Sequence, residues 1–343
     1  MRKSGLFLRF SLASLSFLAV AAFGAFHAQA QQSTNADSAA GGLRYLSPGM
    51  PPVMIQPTVG ASETTQVATK SAHGAGKNTS NLNLFYGGGT SGIGVQTAPV
   101  VYLVLWGSQW NNNDPSGEEA ILVNFLKSVG GSPWSNVDSQ YCEGVASGTY
   151  TCGGAGTPAG NNIVFGGAWF DNASAAPTNP TEADVAAEAV NAATFFGNTA
   201  AGSNENTQYI IATPNGDSTV GFGTQFCAFH SFTASSSGNI SYTDLPYITD
   251  GGTFCGANFN GLGPDAGITI VEGQDLTESI TDPFPITGWQ DANNQEIADK
   301  CAWITSGKAA VANVTFPDGQ TFPVQSLWSN AYHNNKGGCV MSY

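Results

Sequence analysis

Residues 99–106 form an unbroken apolar run, Pro99-Val100-Val101-Tyr102-Leu103-Val104-Leu105-Trp106. A short run of this kind fits a strand buried on both faces. Ile121, Leu122, Phe125, Leu126 and Val129 follow at helical spacing, and Ser116-Gly117-Glu118-Glu119 ahead of them reads as a capping box. Residues 162–170 predict a second strand. A second helix begins at Thr181-Glu182-Ala183-Asp184, with Val185, Ala189, Ala192, Ala193 and Phe196 on its apolar face. Residues 208–213 predict another central strand. From Pro214 to Pro264 the chain is rich in glycine, serine and turn signals. Residues 268–281 predict a third helix, which Pro283 ends. Residues 311–316 and 322–328 predict a closing pair of strands. Strand, helix, strand, helix, strand implies an α/β fold: a single domain with a mixed, mostly parallel sheet and crossover helices.

The two ends of this pattern differ from its middle. Met1-Arg2-Lys3, an apolar stretch over 12–26 and Ala28-Gln29-Ala30 together predict a signal peptide over 1–30, with cleavage after Ala30. No other stretch is long and apolar enough to predict a membrane span. Residues 31–81, rich in Ala, Ser, Thr, Gln, Pro and Gly, predict a low-complexity linker or pro-segment. The domain is expected over 82–343, enough chain for one large core.

Charge is scarce and acidic, with a net charge of −14 over the whole chain. The predicted leader carries Arg2, Lys3 and Arg9 and no acid, so the mature part is more acidic still. Such a surface excludes nucleic acid and anionic lipid as natural partners. The six cysteines, Cys142, Cys152, Cys227, Cys255, Cys301 and Cys339, are an even set in a chain expected to be exported, which implies disulfides. Fifteen pairings exist for six cysteines, and nearest-neighbour pairing (142–152, 227–255, 301–339) is the expected one.

Against this sparse background, Glu272, Asp275, Glu278, Asp282, Asp291, Glu296 and Asp299 crowd together. Helical spacing puts Val271, Asp275, Glu278 and Asp282 on one stripe. Acids stacked one turn apart repel unless a metal ion or a base sits among them, or unless all face water. His230 is a candidate base or ligand facing them, or a core histidine bonded to backbone. His73 falls in the linker and His333 in a polar loop. Oxygen-rich ligands with one histidine suit Ca²⁺ better than Zn²⁺. Trp289 and Trp303 bracket the acidic segment and are the candidates for lining a substrate-binding cleft.

Several features together carry a family resemblance. They are Tyr86-Gly87-Gly88-Gly89, the strand at 100–106, Gln225-Phe226-Cys227-Ala228-Phe229-His230, Thr281-Asp282-Pro283, Gly288-Trp289 and Glu296…Asp299-Lys300-Cys301. In this order they resemble the Exordium, or phosphate-induced, proteins and their microbial secreted relatives, from residue 82 to the end. In the microbial relatives the third helix is similar to G-H-E-x-x-E-x-x-T-D-P, a zincin-like pattern in which histidine and glutamate ligands hold a metal that activates water. Here Gln274 stands at the histidine position and Asp275 at the glutamate position. A neutral amide oxygen is a poor zinc ligand. An aspartate carboxylate sits about 1.5 Å short of a glutamate's, and displacements of about 1 Å can cost ~100-fold in rate. The resemblance implies a zincin-like scaffold whose metal chemistry is lost or altered. The density of acids around the helix makes Asp275 the candidate catalytic base and Gln274, Glu278, Glu296, Asp299 and His230 the candidate metal ligands, for Ca²⁺ or Zn²⁺.

Other chemistry finds no footing. Gly87-Gly88-Gly89-Thr90-Ser91-Gly92 precedes the first long strand and no helix follows it, so it is no dinucleotide loop. There is no G-x-S-x-G elbow. Two functions are expected: a secreted protein with a degenerate metal-hydrolase site that binds an extracellular glycan or peptide, or an active metal-dependent hydrolase of peptidase type.

Overall fold

A computed structural model describes residues 83–343 of the chain. The signal peptide and linker expected over 1–81 lie outside the described residues, as does His73. The principal elements are β1 (Val100–Trp106), α1 (Glu118–Ser128), β2 (Val164–Asp171), α2 (Glu182–Phe195), β3 (Thr207–Ala212), β4 (Phe229–Ser235), β5 (Gly238–Leu245), α3 (Ala266–Thr281), β6 (Ala312–Thr315) and β7 (Thr321–Val324).

Five strands make the central sheet, in the order β2-β1-β3-β5-β4. Strands β2, β1, β3 and β5 run parallel, and β4 pairs antiparallel with β5 at one edge. The apolar run of β1 is explained by its two faces. Val101, Leu103 and Leu105 enter the core shared with α1 and α3, while Val104 and Trp106 enter the core shared with α2. Alternate side chains leave opposite faces of a strand, so a sheet covered by helices on both sides needs an apolar residue at nearly every position. The fold is thus mixed α/β with a mostly parallel sheet and crossover helices. β6 and β7 form the expected closing pair as a separate antiparallel ribbon.

Two expectations need correction. The segment 214–264 contains β4 and β5, a hairpin joined at Ser236-Ser237, and is not a run of turns alone. Neither strand alternates: in Phe229-His230-Ser231-Phe232 the apolar residues stand three apart, and serine, threonine and histidine fill buried positions. The capping box at Ser116 does not form. Gly117, at φ 66°, is the N-cap of α1, and the Asp114 carboxylate accepts from the Glu118 and Glu119 amides (2.8 and 3.3 Å). Ser116 Oγ instead meets Thr249 Oγ1 at 2.8 Å. At α2 the box is complete, with Thr181 and Asp184 each accepting the other's backbone N–H.

The cysteines pair as nearest neighbours: Cys142–Cys152, Cys227–Cys255 and Cys301–Cys339. Each closes a longer loop than the last and is worth about 2–4 kcal/mol. Among the described residues no helix is long and apolar enough to cross a membrane.

Candidate metal centre

Helix α3 follows β5 through the 3₁₀ segment Ile248–Cys255 and crosses the same sheet face as α1. Every one of its sixteen residues is buried. A helix buried on all sides is normally apolar all round, yet this one carries Glu272, Gln274, Asp275 and Glu278. Its start approaches the Cys255 carbonyl so closely that a Cβ on Gly267 would lie 1.9 Å from that oxygen. Glycine there sets the depth of the helix.

Three segments converge on the acidic stripe. β4 brings His230, three residues after the Cys227–Cys255 bridge. α3 brings Asp275 and Glu278, with Asp282 as its C-cap. The loop beyond brings Glu296 and Asp299, close to the Cys301–Cys339 bridge. Two disulfides therefore anchor the two segments that face the helix.

The contacts are specific. His230 Nε2 lies 2.9 Å from Glu296 Oε2 and 3.9 Å from Glu278 Oε2. One potential ligand atom from each of His230, Glu278 and Glu296 falls within 4.8 Å of the other two. The three residues are at most 2% exposed. Glu278 is oriented through its other oxygen, Oε1, which accepts the Asp299 amide at 2.9 Å. Asp299 holds its own loop, with Oδ2 accepting the Glu296 amide at 3.1 Å, and takes Gln274 Nε2 on Oδ1 at 3.2 Å. Asp282 Oδ1 accepts the Gly288 and Thr287 amides at 2.6 and 3.2 Å. His230 Nδ1 and Asp275 Oδ2 are buried with no hydrogen-bond partner, and the neighbouring Asp282 and Glu296 carboxyls hydrogen-bond each other through a retained proton.

Burial and mutual repulsion set the protonation of these groups. Desolvation first, then the neighbouring carboxylates, holds the Glu278 and Glu296 carboxyls well above the usual range. Desolvation pushes Asp275 up to about 8, against the pull of His230. It pushes Asp282 up to about 7 and Asp299 to about 6, although backbone N–H groups favour their charged forms. Burial lowers His230, against the pull of Asp275, Asp282 and Asp299. The 2.9 Å contact between His230 and Glu296 has the geometry of an ion pair, but desolvation disfavours both charges. The neutral form, with one proton between Nε2 and Oε2, is the better description. Lys300 does not neutralise the cluster directly, because its Nζ binds Asp291 Oδ2 at 2.6 Å.

The expected site residues therefore divide. His230, Glu278 and Glu296 come together as a ligand set. Gln274 and Asp299 engage each other, and Asp299 acts by positioning Glu278 and Glu296. Asp275 lies in the same buried group, where the His230 backbone amide favours its charged form. Trp289 and Trp303 are both buried, at 0% and 4% exposed. Trp289 packs on Tyr86 and Tyr141 and donates Nε1–H to the Cys142 carbonyl at 3.1 Å. Trp303 packs edge-on against Phe259 within the core. Both rings have too much apolar area to leave in water when the core can take them.

Sequence reasoning gave no role to Asp244 on β5. It takes the Thr219 hydroxyl at 2.5 Å, leaves Oδ1 without a partner, and raises Asp275 electrostatically. A lone aspartate in a strand gives no signal of this. Glu272, also fully buried, has both oxygens without a partner.

No family model, no curated protein and no solved structure matches this chain.

Proposed function

We propose that the chain is an exported, Exordium-like protein on a zincin-like scaffold, with one divalent cation held by His230, Glu278 and Glu296. The observation that carries this reading is the convergence of those three side chains. Ligand atoms around a tetrahedral Zn²⁺ or an octahedral Ca²⁺ stand about 3.4 Å apart, and the His230 contacts of 2.9 and 3.9 Å bracket that spacing. Ca²⁺, expected from the abundance of acids, needs six to eight oxygen ligands, whereas only three residues converge and one gives a nitrogen, so the set favours Zn²⁺. A cation would take the place of the proton between His230 and Glu296 and satisfy carboxylates that otherwise repel. The acid-bearing helix under a sheet with an antiparallel edge strand supports the zincin-like reading, and the three disulfides fit an extracellular setting.

Binding or stabilisation suits this centre better than turnover. Its ligands are closed off from solvent, and Gln274, at the histidine position, is tied to Asp299. Elemental analysis of the purified mature protein tests the proposal. One equivalent of Zn²⁺ is expected, lost in His230→Ala and Glu296→Gln. Ca²⁺ in its place would reassign the ion, and no metal in protein loaded with either would refute the site.

A second reading, an active hydrolase with Asp275 as base, draws on one observation. Asp275 is buried beside His230 with Oδ2 free. A chelator-sensitive peptidase activity that Asp275→Asn abolishes, with metal content unchanged, would establish it. Absence of any such activity in the metal-loaded protein would leave the binding role.

A further inference from the structure

Lys300 and Asp291 form a buried pair that the metal centre does not use. The Lys300 side chain is 6% exposed and that of Asp291 5%, with Nζ 2.6 Å from Oδ2. That contact places the amine nitrogen no more than about 3.9 Å from the carboxyl carbon, allowing one C=O bond length beyond Oδ2. Both partners are held. Asp291 Oδ1 accepts the Asn293 and Gln295 amides at 2.8 and 3.1 Å, and the Asp291 amide donates to the Gln295 carbonyl at 2.9 Å. Lys300 sits in the 3₁₀ turn Asp299–Cys301, beside the Cys301–Cys339 bridge. Trp328 lies over its ammonium, 4.4 Å from Nζ to the ring centroid, and shields it from water.

We propose that Lys300 and Asp291 condense to an intramolecular amide. The proton of the ion pair passes from Nζ to Oδ2, giving an amine and a carboxylic acid. Nζ then attacks Cγ, the C–N bond forms, and Oδ2 leaves as water with the proton it received and a second one from nitrogen. Ammonium and carboxylate become one secondary amide and one water, with no oxidant and no cofactor. The Asn293 and Gln295 amides already point at Oδ1, where negative charge develops during the attack, and act there as an oxyanion hole. Fixed neighbours of this kind react at effective concentrations of roughly 10⁵–10⁸ M, which offsets the cost of amide formation from an ion pair. The neutral product removes two charges from the interior, where each is costly. It would brace the loop that carries Glu296 with a covalent bond reduction cannot open.

Intact-mass spectrometry on the full mature chain, with its disulfides reduced, tests this independently of any metal. The expected mass is about 18 Da, one water, below that of the sequence. Trypsin should fail to cut after Lys300 in the denatured protein, and fragment ions should join 291 to 300. Lys300→Arg should restore the full mass. A full-mass wild-type chain that trypsin cleaves after Lys300 would overturn the proposal. So would a deficit localised to a succinimide at Asp291 with Lys300 free.

Discussion

His230 Nε2 and Glu296 Oε2 meet at 2.9 Å, sixty-six residues apart in sequence and fully buried. One comes from the antiparallel edge strand of the sheet and the other from the loop beyond α3. Neither group is stable alone in this interior as a charge, and together they share a proton whose place the proposed cation would take. The remaining carboxyls of the cluster follow the same logic, and this makes the site's electrostatics testable through stability.

Without metal, stability should fall as pH rises from about 4 to about 8. Asp299, Asp282 and Asp275 are raised to about 6, 7 and 8, and Asp244 and Glu118 to about 7 and 8. The folded state therefore holds protons the unfolded state has released. Stability present below the unfolded carboxylate range is lost as pH climbs through the folded values. His230 is lowered and acts in the opposite sense, losing stability as pH falls below its unfolded value, but the acids outnumber it. Thermal melts of chelator-treated protein should show a higher Tm at pH 5 than at pH 8. A flat or rising profile would contradict this assignment.

Cation addition should reverse that loss at pH 8. A ligand at 1,000 times its Kd stabilises the folded state by about 4 kcal/mol. Glu296→Gln keeps the hydrogen-bonding shape but removes a ligand charge. It should leave the metal-free protein as stable as the parent or more so, and should abolish most of the cation-induced Tm shift.

The sheet was largely legible because its strands and helices carry clean periods. β1, α2 and α3 stand out by apolar spacing, and nearest-neighbour cysteine pairing agrees with the observed bridges. β4 and β5 were hidden because serine and threonine fill strand positions there, which left His230 without a visible structural context. The acids of α3 were legible as a cluster, but their burial was not. Sequence shows charge, while only packing shows that all sixteen helix residues leave solvent. Trp289 misled for a related reason, since an aromatic beside a polar segment suits a cleft wall or a core equally well.

Removing the Cys227–Cys255 bridge should act on both stability and binding. Cys227→Ala with Cys255→Ala should cost about 2–4 kcal/mol. It should also weaken cation affinity, because His230 loses the anchor three residues before it. Titration calorimetry on the folded variant should show a raised Kd relative to the parent, and an unchanged Kd would detach the bridge from the site.

Gly288 is a sharper probe of Asp282. A Cβ there would lie 2.4 Å from the carbonyl oxygens of Gly94 and Thr281, so Gly288→Ala must displace backbone and with it the 2.6 Å bond to Asp282 Oδ1. A loss of roughly 2–4 kcal/mol is expected from overpacking and a broken buried hydrogen bond. Denaturant unfolding measures it.

Trp289→Ala should behave as a core deletion, costing about 3–5 kcal/mol. In the fraction that remains folded, any affinity for extracellular glycans found in the parent should not change. A selective loss of glycan affinity with stability intact would return Trp289 to a binding surface.

The most direct measurement is anomalous diffraction at the zinc edge from crystals of the Zn²⁺-loaded protein. A single peak is predicted within ligand distance of His230 Nε2, Glu278 Oε2 and Glu296, and it should vanish in Glu296→Gln crystals. A loaded crystal with no peak there, or with its peak on surface carboxylates, would contradict the metal centre.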